Sequence, residues 1–111
     1  MKITDLDPPA IRRAQFLLAQ RMAVPDTPGV YIIATIDKHI LYIGKATSIR
    51  GRMLSHLEDS EKKEATSNGI GFWFYFIELK TPEEAAFIEH GWFNRSILLD
   101  GSLPPFNKQH S

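Results

Sequence analysis

The sequence predicts a small α/β (α+β) domain, with a short, largely antiparallel three-stranded sheet flanked by helices. Three observations predict it. Two apolar runs, Val30-Tyr31-Ile32-Ile33-Ala34 and Ile40-Leu41-Tyr42-Ile43, are joined by the polar-leaning link Thr35-Ile36-Asp37-Lys38-His39, the signature of a hairpin. A third run, Phe72-Trp73-Phe74-Tyr75-Phe76-Ile77-Glu78-Leu79, is aromatic on both alternating faces, as a central strand covered on both sides would be. Helix-start signals follow the hairpin and the aromatic run.

Taken in order, Asp7-Pro8-Pro9 reads as a helix start, with Asp7 as cap and Pro8 in the first turn. Ile11, Ala14, Leu18 and Met22 follow at helical spacing, with Leu17 beside them, while Arg12, Arg13 and Arg21 lie largely off that stripe. Such a helix packs on the domain with solvated arginines, contacts phosphate, or binds a partner. Pro25-Asp26-Thr27-Pro28-Gly29 then turns the chain into the hairpin. The expected organisation is a helical extension, residues 1–27, packed on a domain of residues 28–111. Tyr31 and Tyr42 fall on neighbouring strands, and a second helix runs from Thr47 or Ser48 to about Leu57. Ile49, Met53 and Leu57 face the sheet, and Arg52 and His56 lie one turn apart beside them. The polar stretch 58–69, including Lys62 and Lys63, reads as a solvated loop. In Thr81-Pro82-Glu83-Glu84, Thr81 caps a long helix and Glu84 occupies the capping-box position. Its inward stripe is Ala85, Ile88, Trp92, Ser96 and Leu99. Glu89 falls within that stripe, and a carboxylate there requires a partner, a ligand or a shifted pKa. A structural salt bridge accounts for Glu89 as well as a metal site does.

The 111 residues suffice for one domain with a modest core. The absence of cysteine excludes disulfides, thiolate metal sites and cysteine nucleophiles, and fits a reducing compartment. No apolar signal segment follows Met1, and the run 72–77 is too short to span a bilayer, so cytoplasm is the default expectation. Thirteen basic residues balance thirteen acidic ones, which argues against a large, tight, sequence-independent DNA surface. Yet Tyr31, Tyr42, Lys45, Arg52 and His56 converge at one end of the hairpin. That set makes a poor core and a reasonable phosphate site.

The ordered set Gly29-Val30-Tyr31, Tyr42-Ile43-Gly44-Lys45, Arg52, His56, Glu89 and Asn107 resembles the GIY-YIG nuclease family over roughly residues 28–108. Val30 stands where isoleucine gives the family its name. The resemblance implies hydrolysis of DNA phosphodiesters with one divalent metal, Mg²⁺ or alternatively Mn²⁺. It implies Glu89 as metal ligand, Arg52 on the scissile phosphate, and Tyr31 or Tyr42 positioning or deprotonating water. His56 falls near the nucleophile, and Lys45 is a phosphate-side or base-assisting lysine. Gly44, Lys45, Arg52 and Asn107 make the expected substrate-binding set, with Asn107 also supporting the site.

The residue chemistry agrees. Arg52 offers a planar fork matched to phosphate oxygens. Mg²⁺ accepts one or two carboxylates and keeps several waters, so Glu89 alone can suffice. Histidine accepts a proton near neutral pH, which favours His56 as acceptor with Tyr31 orienting it, whereas the family resemblance gives the tyrosine more credit. His39, His90 and His110 are expected to be solvated. The competing reading is a catalytically silent module on the same fold that binds nucleic acid or a partner protein. If the domain cuts DNA, its specificity comes from the N-terminal helix, from a partner protein, or from preference for a DNA structure rather than a sequence.

Overall fold

The computed structural model describes residues 1–107, so His110 lies outside the described residues. Strands β1 (Arg12–Gln15), β2 (Gly29–Ala34), β3 (Ile40–Ala46) and β4 (Trp73–Glu78) form one antiparallel sheet in the order β1-β4-β2-β3. Helix α1 (Ile49–Leu57) lies on one face, and helix α2 (Pro82–Asp100) on the other. The hairpin pairs Tyr31 with Gly44 and Ile33 with Tyr42, so the two tyrosines share a face two positions apart rather than opposing each other. β4 is central, as its two-sided aromatic pattern requires. Phe74 and Phe76 pack with Ile49 and Met53 on the α1 side, while Tyr75 packs with Ala85 and Trp92 on the α2 side.

The sheet has four strands, not three, because the expected N-terminal helix does not form. Residues 12–15 instead pair with β4, and Leu18–Ala23 is a short 3-10 turn. Ala14 and Phe16 are buried with Gln15 between them, a two-residue alternation that overrides the helical spacing. The arginines make the strand rewarding. The Arg12 guanidinium bonds Glu78 and lies over Phe76, and Arg13 lies 3.6 Å from the Trp73 ring centroid and donates to the Tyr75 hydroxyl. Ile11, Leu17, Leu18 and Met22, the rest of the expected apolar stripe and its neighbour, are exposed.

The other helices follow their start signals. Ser48 caps α1 by accepting from the Gly51 amide, and Thr81 and Glu84 close the capping box of α2. Gly101, at φ 77°, ends α2 in the left-handed conformation. Ala85, Trp92 and Ser96 are buried, Ile88 is half-buried, and Leu99, expected inward, is half-exposed at 49%. The Trp92 indole donates to the Pro8 carbonyl at 3.0 Å and pins the N-terminal segment to α2. No helix among the described residues is long and apolar enough to cross a membrane.

Gly29 is fixed by close approach, since a Cβ there would meet the Ile77 carbonyl oxygen at 2.0 Å and Ile49 Cδ1 at 2.8 Å. Gly29→Ala is therefore expected to force β2 and β4 apart and cost about 2–3 kcal/mol, read as a lower urea midpoint. Gly91→Ala, where a Cβ meets nothing within 4 Å, is expected to gain about 0.5–1 kcal/mol from helix propensity alone.

Candidate active site

Gly44 is the position that makes the site possible. It faces Tyr31 across the hairpin, and a Cβ on it would fall 2.4 Å from the Tyr31 hydroxyl and Cζ. Without that atom the Tyr31 ring lies flat over the strand, stacked on Phe74 at 5.2 Å, and is fully buried. Gly44 is itself buried, and its contribution is the space it leaves for Tyr31.

Helix α1 brings two side chains to the Tyr31 oxygen. His56 Nε2 lies 2.7 Å from it, and Arg52 Nε donates to it at 3.3 Å. The buried phenol thus accepts from Arg52 and shares a hydrogen bond with a neutral imidazole, whose direction follows the histidine tautomer. Burial, followed by the nearby Arg52 and Lys62 charges, pushes the His56 pKa down from 6.5 to about 4. Burial likewise pushes the Tyr31 phenol well above the ordinary tyrosine value, against the opposing hydrogen bond from Arg52. Arg52 is held even more firmly as a cation by its hydrogen bond to Tyr31. Its residue is exposed, and its terminal nitrogens have no protein acceptor among the described residues.

Tyr42 is half-buried beside this trio. Its ring centroid lies 6.1 Å from that of Tyr31 and 4.9 Å from that of His56, the latter edge-on. On its other contact sits a group that sequence reasoning assigned to solvent. Lys62 is buried, with Nζ 4.9 Å from the Tyr42 ring centroid and 3.3 Å from both Asp59 Oδ2 and Glu61 Oε1. Stretch 58–69 is therefore not uniformly solvated, because the 3-10 turn Ser60–Lys63 docks Lys62, the first of its two lysines, against the site. Nothing in the sequence separates Lys62 from Lys63, and only the turn's geometry does.

Lys45 and Glu89 form a second group. Lys45 Nζ lies 3.8 Å from Glu89 Oε1, too long for a strong bond, and the lysine is exposed. The Glu89 side chain is 18% exposed, and burial raises its pKa, with Lys45 partly opposing the shift. Lys45 is paired with Val30 and so projects to the α2 side, whereas Tyr31, Tyr42 and Gly44 belong to the α1 side. Strand β3 carries members of both groups, and no hydrogen bond or ion pair joins them among the described residues. Asn107 fastens this strand from outside. Its Oδ1 accepts from the Ile43 amide and its Nδ2 donates to the Ile43 carbonyl, each at 2.9 Å. Each end of the amide is thus engaged by backbone through one of its two hydrogen-bonding positions, which fastens Asn107 to β3. His39 is half-buried and bridged to Lys2, while His90 is exposed.

No cluster of three or more histidine, cysteine, aspartate or glutamate side chains suited to a metal occurs among the described residues. Glu89 nonetheless fits a divalent cation by its chemistry. It is a partly desolvated carboxylate with Lys45 at 3.8 Å, and an ion that keeps its own waters needs no more than that from the protein.

The hairpin tyrosines, the arginine–histidine helix and the glutamate on α2 place the chain in a known class. Residues 27–96 match the GIY-YIG catalytic domain, and the chain belongs to that family. Among its relatives, the UvrABC system protein C of Hydrogenobaculum sp. is 46% identical over 67 residues, 59% of this chain and 12% of the relative. The protein of the same name from Syntrophomonas wolfei is 32% identical over 78 residues, 67% of this chain and 13% of the relative. The chain thus spans a small part of these proteins. In solved structures, the GIY-YIG N-terminal endonuclease domain of UvrC from Thermotoga maritima, bound to magnesium as its catalytic divalent cation, matches with a TM-score of 0.57. That likeness is at 26% identity and covers 78% of this chain and 90% of the other.

The His56 shift has a stability consequence. Between pH 6.5 and about 4 the unfolded chain binds a proton at His56 that the folded protein refuses, so stability falls as pH drops through that window. The expected loss is roughly 2–3 kcal/mol. Urea titrations of wild type and His56→Gln at pH 7 and pH 4.5 check it, the glutamine protein showing the smaller acid loss.

Proposed function

We propose that this domain is a divalent-metal-dependent endonuclease that hydrolyses DNA phosphodiester bonds. The observation that carries the reading is the Tyr31 oxygen held between Arg52 Nε and His56 Nε2, beside a half-exposed Tyr42. A stack of hydroxyl, imidazole and guanidinium is costly to bury for packing alone. It supplies what attack at phosphorus needs.

Arg52 presents its terminal nitrogens to the scissile phosphate, where their planar fork matches two oxygens and offsets the charge that develops on them. Tyr42, the tyrosine that solvent reaches, orients the attacking water. The water oxygen bonds to phosphorus as the bond to the leaving oxygen breaks. The proton released by the water moves inward along the Tyr42 and Tyr31 hydroxyls to His56 Nε2. The Tyr31 phenol relays that proton as a neutral group, because its phenolate is disfavoured by burial. A phosphodiester at Arg52 also offsets the positive charge that holds the imidazole pKa down, so substrate strengthens the base. Glu89 would hold the divalent ion, Mg²⁺ by preference, which as a Lewis acid stabilises charge on the phosphate and the leaving oxygen. Lys45 keeps Glu89 in place before the ion arrives and is free to turn toward a phosphate oxygen.

The charge balance favours a second reading, a module that binds nucleic acid or a partner without turnover, and it also makes weak intrinsic affinity for arbitrary duplex an expectation. A partner protein or neighbouring domain then brings the DNA, as the name UvrABC system protein C suggests for the relatives.

Cleavage of supercoiled plasmid with Mg²⁺, Mn²⁺ and EDTA separates the readings. Metal-dependent nicking is expected, reduced at least about 100-fold in both Glu89→Gln and Arg52→Ala, with DNA binding by Glu89→Gln within a few fold of wild type. A folded wild type that cuts neither plasmid nor branched oligonucleotides at any metal concentration would leave the binding module standing.

A further inference from the structure

We propose that Lys62 is a positioning residue for cleavage, acting through the Tyr42 ring. The inference rests on the nuclease reading above and adds to the site a group from a segment outside the hairpin, α1 and α2. An ammonium is among the least favourable groups to bury, yet Lys62 is 8% exposed. Its placement is over-determined. Asp59 Oδ2 and Glu61 Oε1 each lie 3.3 Å from Nζ, and the Tyr42 ring centroid lies at 4.9 Å, within cation–π range. Asp59 is itself fixed as the cap of the 3-10 turn, accepting from the Glu61 amide at 3.0 Å. The turn thus presents one cation, held by two carboxylates, to one aromatic face.

Tyr42 needs such a contact because the rest of its surroundings leave it half free. His56 meets the ring edge-on at 4.9 Å, Tyr31 lies at 6.1 Å, and the Tyr42 hydroxyl neighbours Tyr31 and Arg52, which leaves the ring itself to Lys62. A ring held on two sides retains freedom to tilt, and the third contact from Lys62 removes it. The hydroxyl that orients the attacking water is then kept in line with the Tyr31 hydroxyl that takes its proton. Lys62 contributes charge and contact to the ring, and its ammonium, tied to Asp59 and Glu61, is not available as a phosphate ligand.

Single-turnover cleavage by Lys62→Met and Lys62→Arg, each in wild-type and Tyr42→Phe backgrounds, tests this. Methionine keeps the stem and removes the charge. It is expected to lower the cleavage rate about tenfold with the DNA concentration for half-maximal rate within twofold. Arginine, which retains the cation–π contact, is expected to restore the rate to within about threefold of wild type. In the Tyr42→Phe background the methionine change is expected to cost less than twofold, since the hydroxyl it positions is gone. An unchanged rate, an equal loss in both backgrounds, or a weakened half-saturation with a shallower salt dependence would each overturn the proposal, the last by making Lys62 a phosphate contact. A readout independent of turnover separates this from failure of the nuclease reading. The Tyr42 ring-proton resonances, assigned by their loss in Tyr42→Phe, are expected to shift toward those of an unrestrained tyrosine in Lys62→Met and to stay in place in Lys62→Arg. Unshifted resonances in Lys62→Met would overturn the positioning role whether or not the protein cuts DNA.

Discussion

The buried hydroxyl of Tyr31 ties the hairpin to helix α1, and the site depends on that tie. One oxygen accepts from Arg52 and meets His56 at 2.7 Å, so the helix cannot rotate or slide without breaking polar contacts in a dry environment. The ring beneath it reaches this position only because Gly44 has no side chain and Phe74 offers a flat surface. Backbone pairing, aromatic stacking and site chemistry therefore share a single residue. Tyr31 acts as a core residue and as a polar hub, and its two roles are inseparable.

The site divides its electrostatic work between two faces of the sheet. On the α1 side, fixed cations and a neutral imidazole surround the tyrosines. On the α2 side, Glu89 stands partly desolvated with Lys45 and His90 nearby. Strand β3 is common to both. Lys45, Arg52 and Lys62 stand around the β2–β3 hairpin while the chain as a whole stays balanced. A modest overall field with a few local cations acts on a charged group at short range.

The hairpin, the aromatic strand and both α-helices were legible because local signals and tertiary needs agree there: alternating apolar residues, a serine and a threonine cap, a proline in the first turn. The N-terminal strand was hidden because Ile11, Ala14, Leu18 and Met22 mimic helical spacing, whereas the deciding partners, Trp73, Tyr75, Phe76 and Glu78, lie sixty residues away. No local pattern carries that information. In the site, the candidate residues were read from their order along the chain, and the pairing of His56 with Tyr31 from their chemistry. That Gly44 serves by what it lacks, and that Lys62 is buried while Lys63 is exposed, depend on three-dimensional placement.

The amide of Asn107 has a consequence for the life of the protein in concentrated solution. β3 is an outer strand, and its unpaired N–H and C=O groups are a template on which another chain could build. By engaging both polar groups of Ile43, Asn107 imitates one residue of a neighbouring strand and occupies the template at its middle. A side chain that steadies the hairpin thus also guards the domain against edge-to-edge aggregation, and the shape of β3 and colloidal stability are coupled through one asparagine.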